Sequence, residues 1–442
     1  MKARDLAFQV LIRVDQERAY ANLLLDALLK RSSLTKEDRA LATELVYGVL
    51  RLRGRLDWII QEVSNRPLAE VSPKVANVLR LGAYQLLFLD RVPAYAAVDQ
   101  AVELAGKVGG KGARAFVNAV LRRIQREREG LLQRRPREDK LDDLAAFYSH
   151  PRFILERWLN RWGEEAFAFF QANNEVPPLS LGTNLLKAKP EEVEEVLKKL
   201  AASVERGRWA PGFFRVKNGG RLFQSEAWRR GLFFVMDEAA ALPVFLLDPK
   251  PGERILDACC GGGGKTALMA GLMGEEGKIL ALDQRRRAIR RFQESCRRLG
   301  IQSAEPILGD ARRAHEVIRT PVDRIFVDAP CTGLGTLRRH PEIKWRLQLE
   351  DLGRLAPLQL EILKGVAPCL KEGGVLVYST CTPEPEEDEG VVEAFLKAHP
   401  EFALEDASPY LPRHGLVEGG FLRTYPHRHG ADAFFAARLR KT

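Results

Sequence analysis

From the N-terminus to about residue 130, apolar positions recur at spacings of three and four. Ala7, Val10, Leu11 and Val14 mark one face, and Leu23, Leu24, Ala27 and Leu28 the next. Leu41, Leu45, Val49 and Leu52 continue the pattern, followed by Leu56, Ile59 and Ile60. Val75, Val78, Leu79 and Ala83 lead into the apolar run 86–89; Pro93 precedes a helix carrying Ala97, Ala101 and Leu104, and Phe116, Val120 and Ile124 mark the last. Period-two alternation is nearly missing, so the pattern predicts an all-α bundle over residues 1–130.

The pattern then changes. Residues 130–150 are polar with Pro136, and helical periodicity returns from Phe153 to Phe170, so 131–175 reads as a helical linker. Trp158, Leu159 and Trp162 fall on or near one face, where packing against a neighbouring domain is expected. After Pro177-Pro178 come a strand from Leu179 to Leu185, a helix from Pro190 to Leu200 and a strand from Phe213 to Val216, a small α/β unit over 176–235. From 236 to the C-terminus strands alternate with helices, beginning with a helix from Asp237 to Leu247. Strands end at Asp257, at Asp283, before Asp310, at Asp328 and at Ser379-Thr380-Cys381. This predicts a doubly wound α/β domain of Rossmann-like form.

The first of these strand ends reads RILDACCGGGGKT, Arg254 to Thr266. A strand, a glycine turn and a helix make a pocket for a nucleotide or nucleoside cofactor. A phosphate-binding loop would need glycine where Cys259 stands. A dinucleotide dehydrogenase is a second reading, and a methyl-donor pocket a third. The candidate cofactor residues are Cys259, Cys260, Gly261, Gly262, Gly263, Gly264 and Lys265 in the turn, with Asp283, Arg285, Asp310 and Asp328 downstream. Asp283 is placed to accept from ribose hydroxyls and Asp310 to meet an adenine amino edge.

Two cysteines, Cys331 and Cys381, fall beside such a pocket. That pairing points to methylation of a carbon that is not nucleophilic by itself, such as C5 of a pyrimidine. A thiolate adding at C6 pushes electron density to C5, and a nearby carboxylate can manage charge at N3. Nitrogen or oxygen methylation needs no thiol. Either cysteine alone could equally be a small buried side chain.

Charge adds a partner class. The chain carries a net charge of +10. Residues 1–130 hold 22 lysines and arginines against 15 acids, and Arg51, Arg53 and Arg55 alternate while Arg114, Arg122, Arg123, Arg126 and Arg128 crowd the far end. Solvated helix faces would explain this; contact with an RNA backbone is the sharper expectation. The six cysteines show no CxxC spacing, so no metal site is expected, and a reducing cytoplasm suits them. No secretory leader and no 18-residue apolar run is found. No membrane contact and no obligate protein partner is expected.

The sequence from Asp328 through Pro330-Cys331-Thr332-Gly333 to Pro341-Glu342-Ile343-Lys344-Trp345 resembles the signature of the Nol1/Nop2/Fmu family of RNA cytosine-C5 methyltransferases. Tyr378-Ser379-Thr380-Cys381-Thr382, followed by Glu384, Glu386, Glu387 and Asp388, resembles its second cysteine motif, and Pro426–Gly430 with Phe434-Phe435 its closing strands. Residues 44–51, 79–86 and 116–122 resemble a NusB-type RNA-binding domain. The resemblance implies S-adenosylmethionine as donor and a cytosine of 16S rRNA, free or in a small-subunit assembly intermediate, as target. It implies Cys381 as nucleophile, Cys331 as the thiol that assists release, and Asp328 at the base. It further implies that Lys344 and the neighbouring arginines hold RNA phosphate or orient their loop. Two departures stand out: Gly262 where the family usually has proline, and Gly182 where it often has arginine. A tRNA substrate, a DNA cytosine methyltransferase and a non-catalytic RNA-binding assembly factor remain rival readings.

Overall fold

The computed structural model describes residues 2–217 and 219–442. They form two compact units, one running up to Glu175 together with Leu337–Leu347, the other Val176–Thr336 with Gln348–Thr442.

The first unit is helical, as the periodicity predicts. Its central helix, Pro73–Phe88, starts where the Ser72 hydroxyl accepts from Val75 N–H and proline takes the first position. Every residue from Val75 to Leu87 is buried, so this helix is covered on all sides, chiefly by the helices Ala3–Glu17, Lys36–Arg51, Arg53–Val63 and Ala94–Arg126. A Cβ on Gly82 would lie 2.4 Å from Leu121 Cδ1, and one on Gly48 2.0 Å from the Tyr84 ring, so both glycines permit close approach. The two helices expected after Pro93 run into each other as Ala94–Arg126, broken at Gly110, whose φ is 71°.

Two expectations for this unit are corrected and a third is narrowed. Trp158 is 1% exposed and stacks on Phe169 and Phe170 at 4.5 and 5.6 Å, so these aromatics pack inside their own unit rather than on a neighbour. The Arg51-Arg53-Arg55 run is not a basic surface. Arg51 is buried, Arg53 donates to Asp15 at 2.7 Å, and Arg55 lies over the Phe147 ring at 3.8 Å while donating to Leu132 O. Arg123 and Arg128 likewise donate to the main-chain carbonyls of Val63, Leu86 and Leu87. Of the two roles expected for Lys344, holding phosphate or orienting its loop, burial leaves the second: the side chain is completely buried and its ammonium donates to Arg51 O at 2.8 Å, Ser149 O at 2.7 Å and Asn174 Oδ1 at 2.9 Å.

The second unit opens with β1 (Leu179–Thr183), β2 (Ser203–Arg206), β3 (Phe213–Lys217) and β4 (Phe233–Val235), an antiparallel sheet in the order β2-β3-β1-β4. The helix Pro190–Leu200 contributes Val193 and Leu197 to the core beneath it. A Cβ on Gly182 would stand 2.7 Å from the Phe234 ring and 2.8 Å from that of Phe213. The absent arginine is therefore accounted for by aromatic rings that fill the place of any side chain.

The larger sheet comprises β5 (Arg254–Asp257), β6 (Lys278–Asp283), β7 (Ala304–Leu308), β8 (Val322–Asp328), β9 (Leu370–Thr380), β10 (Phe402–Glu405), β11 (Val417–Glu418), β12 (Phe421–Thr424) and β13 (Phe434–Lys441). Its parallel part runs β9-β8-β5-β6-β7, and β13 joins antiparallel to β9, carrying β12 and β10. Alternate residues feed two cores: Ile255, Ile279 and Phe326 one face, Leu256, Leu280 and Ile325 the other. Because β5 to β9 are parallel, Asp257, Asp283, Asp328 and Thr380 reach the same edge. Pro426–His429, expected as strand, is a short helical turn. Among the described residues no helix is long and apolar enough to cross a membrane.

Candidate active site

The glycine turn leaves β5 and enters the helix Gly264–Met273. Beneath it the Thr266 hydroxyl donates to Asp257 Oδ2 at 2.5 Å, and burial pushes the Asp257 carboxyl up to about 7. Both groups are buried, so Thr266 is not available to hold the metal of a phosphate-binding loop. The turn is fixed at two points. Gly261 has φ 54° and its N–H donates to Asp283 Oδ2 at 3.1 Å; Gly263 has φ 82°, and a Cβ there would lie 2.9 Å from the Phe292 ring. Gly262, the residue in the proline place, has open space around it and no positive φ.

Asp283 closes β6. Its carboxylate accepts from Arg285 N–H at 2.8 Å and from the Arg285 guanidinium at 3.1 Å. Burial pushes its pKa up, but these bonds and Gly261 N–H outweigh burial and hold it below the usual carboxylate range. Cys259 and Cys260 are kept as thiols, chiefly by burial and further by the surrounding aspartates. Asp310, beyond the end of β7, caps Arg312 N–H at 3.0 Å and pairs with the Arg312 guanidinium at 2.6 Å, as Asp283 pairs with Arg285.

Beside the turn lies the second cluster. Lys265 Nζ donates to Asp328 Oδ2 at 2.6 Å, so the lysine leaves the glycine turn for the end of β8. Burial lowers the Lys265 ammonium, but Asp328 outweighs it, and Cys381 raises it further. Ser379 Oγ donates to Asp328 Oδ1 at 3.3 Å. The Cys331 and Cys381 sulfurs stand 3.3 Å apart, and Cys381 N–H donates to Cys331 Sγ at 3.3 Å. All six cysteines of the chain are free thiols.

The electrostatics of the two thiols differ. Cys331 is held well above an ordinary thiol, first by its hydrogen bond with Cys381, then by burial, with Cys381 and Glu387 adding charge. Cys381 has the Lys265 ammonium within electrostatic reach. Negative charge thus lies behind Cys331, while the Lys265 ammonium lies near Cys381.

A buried polar network holds both cysteine loops. Thr332 donates its N–H to Glu387 Oε2 at 2.9 Å and its hydroxyl to Oε1 at 2.6 Å. Gln359 Nε2 donates to Glu387 Oε2 and to Pro330 O, each at 2.9 Å. Tyr378 donates to Glu387 O at 2.6 Å and Thr380 to Asp388 Oδ1 at 2.5 Å. Gly335 N–H donates to Cys381 O at 2.9 Å, tying the two loops together. Sequence reasoning missed Gln359. The signal was there: it shares a helix face with buried Ile362, Leu363 and Val366, where an amide needs a partner. No group of residues able to hold a metal ion occurs among the described residues.

Three family profiles match the chain: 16S rRNA methyltransferase RsmB/F over residues 244–440, the NusB family over 1–126, and the RsmF/B-like ferredoxin-like domain over 150–221. The probable ribosomal RNA small subunit methyltransferase B of Bacillus subtilis is 38% identical, covering 99% of this chain and 98% of that protein. Its counterpart in Synechocystis is 36% identical over the whole of both chains. The crystal structure of PH0851 is 28% identical and superposes with a TM-score of 0.81, covering 99% of this chain and 98% of that one.

Proposed function

The chain belongs to the RsmB/F family of 16S rRNA methyltransferases, and from that premise we propose that it methylates C5 of a cytosine in 16S rRNA through a covalent bond between Cys381 and C6. S-adenosylmethionine is the donor and supplies an electrophilic methyl group when bound. The residues present fit it: a turn with two left-handed glycines and open space at Gly262, beside an ionised Asp283 at the neighbouring strand end.

The observation that carries the reading is the thiol pair, 3.3 Å apart at the ends of adjacent strands, with the Lys265–Asp328 ion pair beside it. The Cys381 thiolate adds to C6, and the electron pair displaced from the ring double bond makes C5 a nucleophile. Asp328 keeps about 30% of its side chain exposed and is the carboxylate assigned to the base, where it accompanies charge at N3. Once C5 is methylated, its proton passes to water, the pair of that C–H bond re-forms the ring double bond, and the carbon–sulfur bond breaks with its pair returning to the Cys381 sulfur. Cys331 assists that release. Bisulfite sequencing of 16S rRNA incubated with the purified protein and donor tests the reading. One converted cytosine that becomes protected is expected; protection of tRNA alone, or a methyl group found on nitrogen, overturns it.

The turn makes a separate prediction. Gly263→Ala forces a side chain into φ 82° and against Phe292, whereas Gly262→Ala meets nothing. Strain of ~1–3 kcal/mol predicts donor affinity lowered ~5- to 150-fold for Gly263→Ala. Gly262→Ala adds no such backbone strain, so calorimetric titration should find that it lowers donor affinity less than Gly263→Ala does.

A further inference from the structure

The helix Arg286–Leu299 follows Asp283 and reads RRAIRRFQESCRRL. Ala288, Phe292, Cys296 and Leu299 are its buried face. Arg286, Arg287, Arg290, Arg291 and Arg297 are exposed, and Glu294 is the helix's only acid. None of these five arginines pairs with a carboxylate among the described residues. Arg13 and Arg152, by contrast, pair with Glu17 and Glu156. Arg286, Arg290 and Arg297 follow one line along the helix, about 16 Å long at 1.5 Å per residue.

The line ends in an open hollow of about 490 Å³ lined by Lys187, Arg229, Arg230, Leu232, Arg297 and Arg298. Arg298 is fixed over the Trp228 ring at 3.7 Å and donates to Trp228 O and Phe233 O, each at 3.1 Å. Lys187 Nζ donates to the carbonyls of Arg230 and Arg298 at 2.8 Å. Partial burial, then Arg298 and Arg230, hold this lysine below its ordinary value. So much like charge, with Glu226 on Arg229 as its one acid partner among the described residues, calls for an anion. No large apolar side chain is exposed on the helix, which disfavours a protein-docking face.

We propose that this arginine-faced helix and the hollow at its end form a phosphate track that holds the RNA strand on the methyltransferase unit. It rests on the RNA reading above and assigns the backbone contacts to a helix beside the donor turn. The guanidinium groups are free to pair with successive phosphates, which fixes the strand's position without reading its bases.

Binding of a 16S rRNA fragment to the triple variant Arg290→Gln/Arg291→Gln/Arg297→Gln, followed by anisotropy from 50 to 200 mM salt, tests this. The slope of log affinity against log salt should fall by about 2–3, at ~0.7–0.9 per lost phosphate contact. Affinity should drop at least ~10-fold, with melting temperature and donor affinity unchanged. The corresponding triple lysine variant should keep the slope, and Arg13→Gln/Arg152→Gln should keep both slope and affinity. A triple variant with wild-type slope and affinity overturns the track, as does one that loses binding to polyglutamate but not to RNA. A wild-type protein that binds RNA through these arginines yet leaves C5 unmethylated overturns the proposed reaction and leaves the track standing.

Discussion

Cys331→Ala, incubated with substrate RNA and S-adenosylmethionine, is expected to accumulate a protein–RNA complex that survives denaturing electrophoresis, while Cys381→Ala and Cys381→Ser form none. The argument starts from the two sulfurs at 3.3 Å. One thiolate occupies the face of C6; the other sulfur is then within reach of the step that breaks the bond. The hydrogen bond with Cys381, burial and the nearby Glu387 keep the proton on Cys331, and the Lys265 ammonium lies near Cys381. Removing the proton-carrying partner leaves addition and methyl transfer intact and blocks release. Turnover should fall by ~10⁴-fold or more in either variant, the size seen when a nucleophile or its partner is deleted. Only the Cys331 variant should carry RNA, and mass spectrometry should find the nucleotide on Cys381. An adduct trapped in the Cys381 variant and none in the Cys331 variant would exchange the two roles. Full activity in both would leave the thiols as packing residues and remove covalent catalysis.

Much of this site was legible because strand ends and glycine turns have local signatures. Asp257, Asp283, Asp328 and Cys381 were placed at one edge by their position after short apolar runs, and parallel pairing brings them there. Partners were not legible, since a partner is set by the fold. Lys265 follows the glycine turn in sequence, yet its ammonium serves Asp328, 63 residues on. Asp310 stands just after β7 as expected, and its pairing with Arg312 two residues later shows only in the fold. Charge misled more than any other signal. A guanidinium is long enough to bury its stem and donate to a main-chain carbonyl. Arg51, Arg55 and Arg128 do this, and a count of basic residues cannot tell them from Arg290 or Arg297. The Gly182 departure reads as a lost contact in sequence and as a packing requirement between Phe213 and Phe234 in space.

Lys344 gives that lesson its clearest test. If it held phosphate, Lys344→Met would weaken RNA binding and reduce its salt slope while leaving the fold untouched. The geometry predicts the reverse. The ammonium is wholly buried and spends its three hydrogens on Arg51 O, Ser149 O and Asn174 Oδ1, while Trp345 Nε1 donates to Leu50 O at 2.6 Å. Burial, with Arg51 nearby, holds this lysine well below its ordinary value. Its three acceptors come from the helix Lys36–Arg51, from Ser149 and from Asn174, so one side chain links three parts of the helical unit to residues 337–347. Methionine fills nearly the same volume but leaves three buried acceptors without donors. At about 1–3 kcal/mol for each unsatisfied group, the loss is about 3 kcal/mol or more. For a unit of this size that lowers the melting temperature by about 6–12 °C. Differential scanning calorimetry should register this fall. RNA affinity of the folded Lys344→Met protein, measured well below its melting point, should keep the wild-type salt slope. A variant that melts like wild type but binds RNA with a slope reduced by ~0.7–0.9 would return Lys344 to the RNA surface.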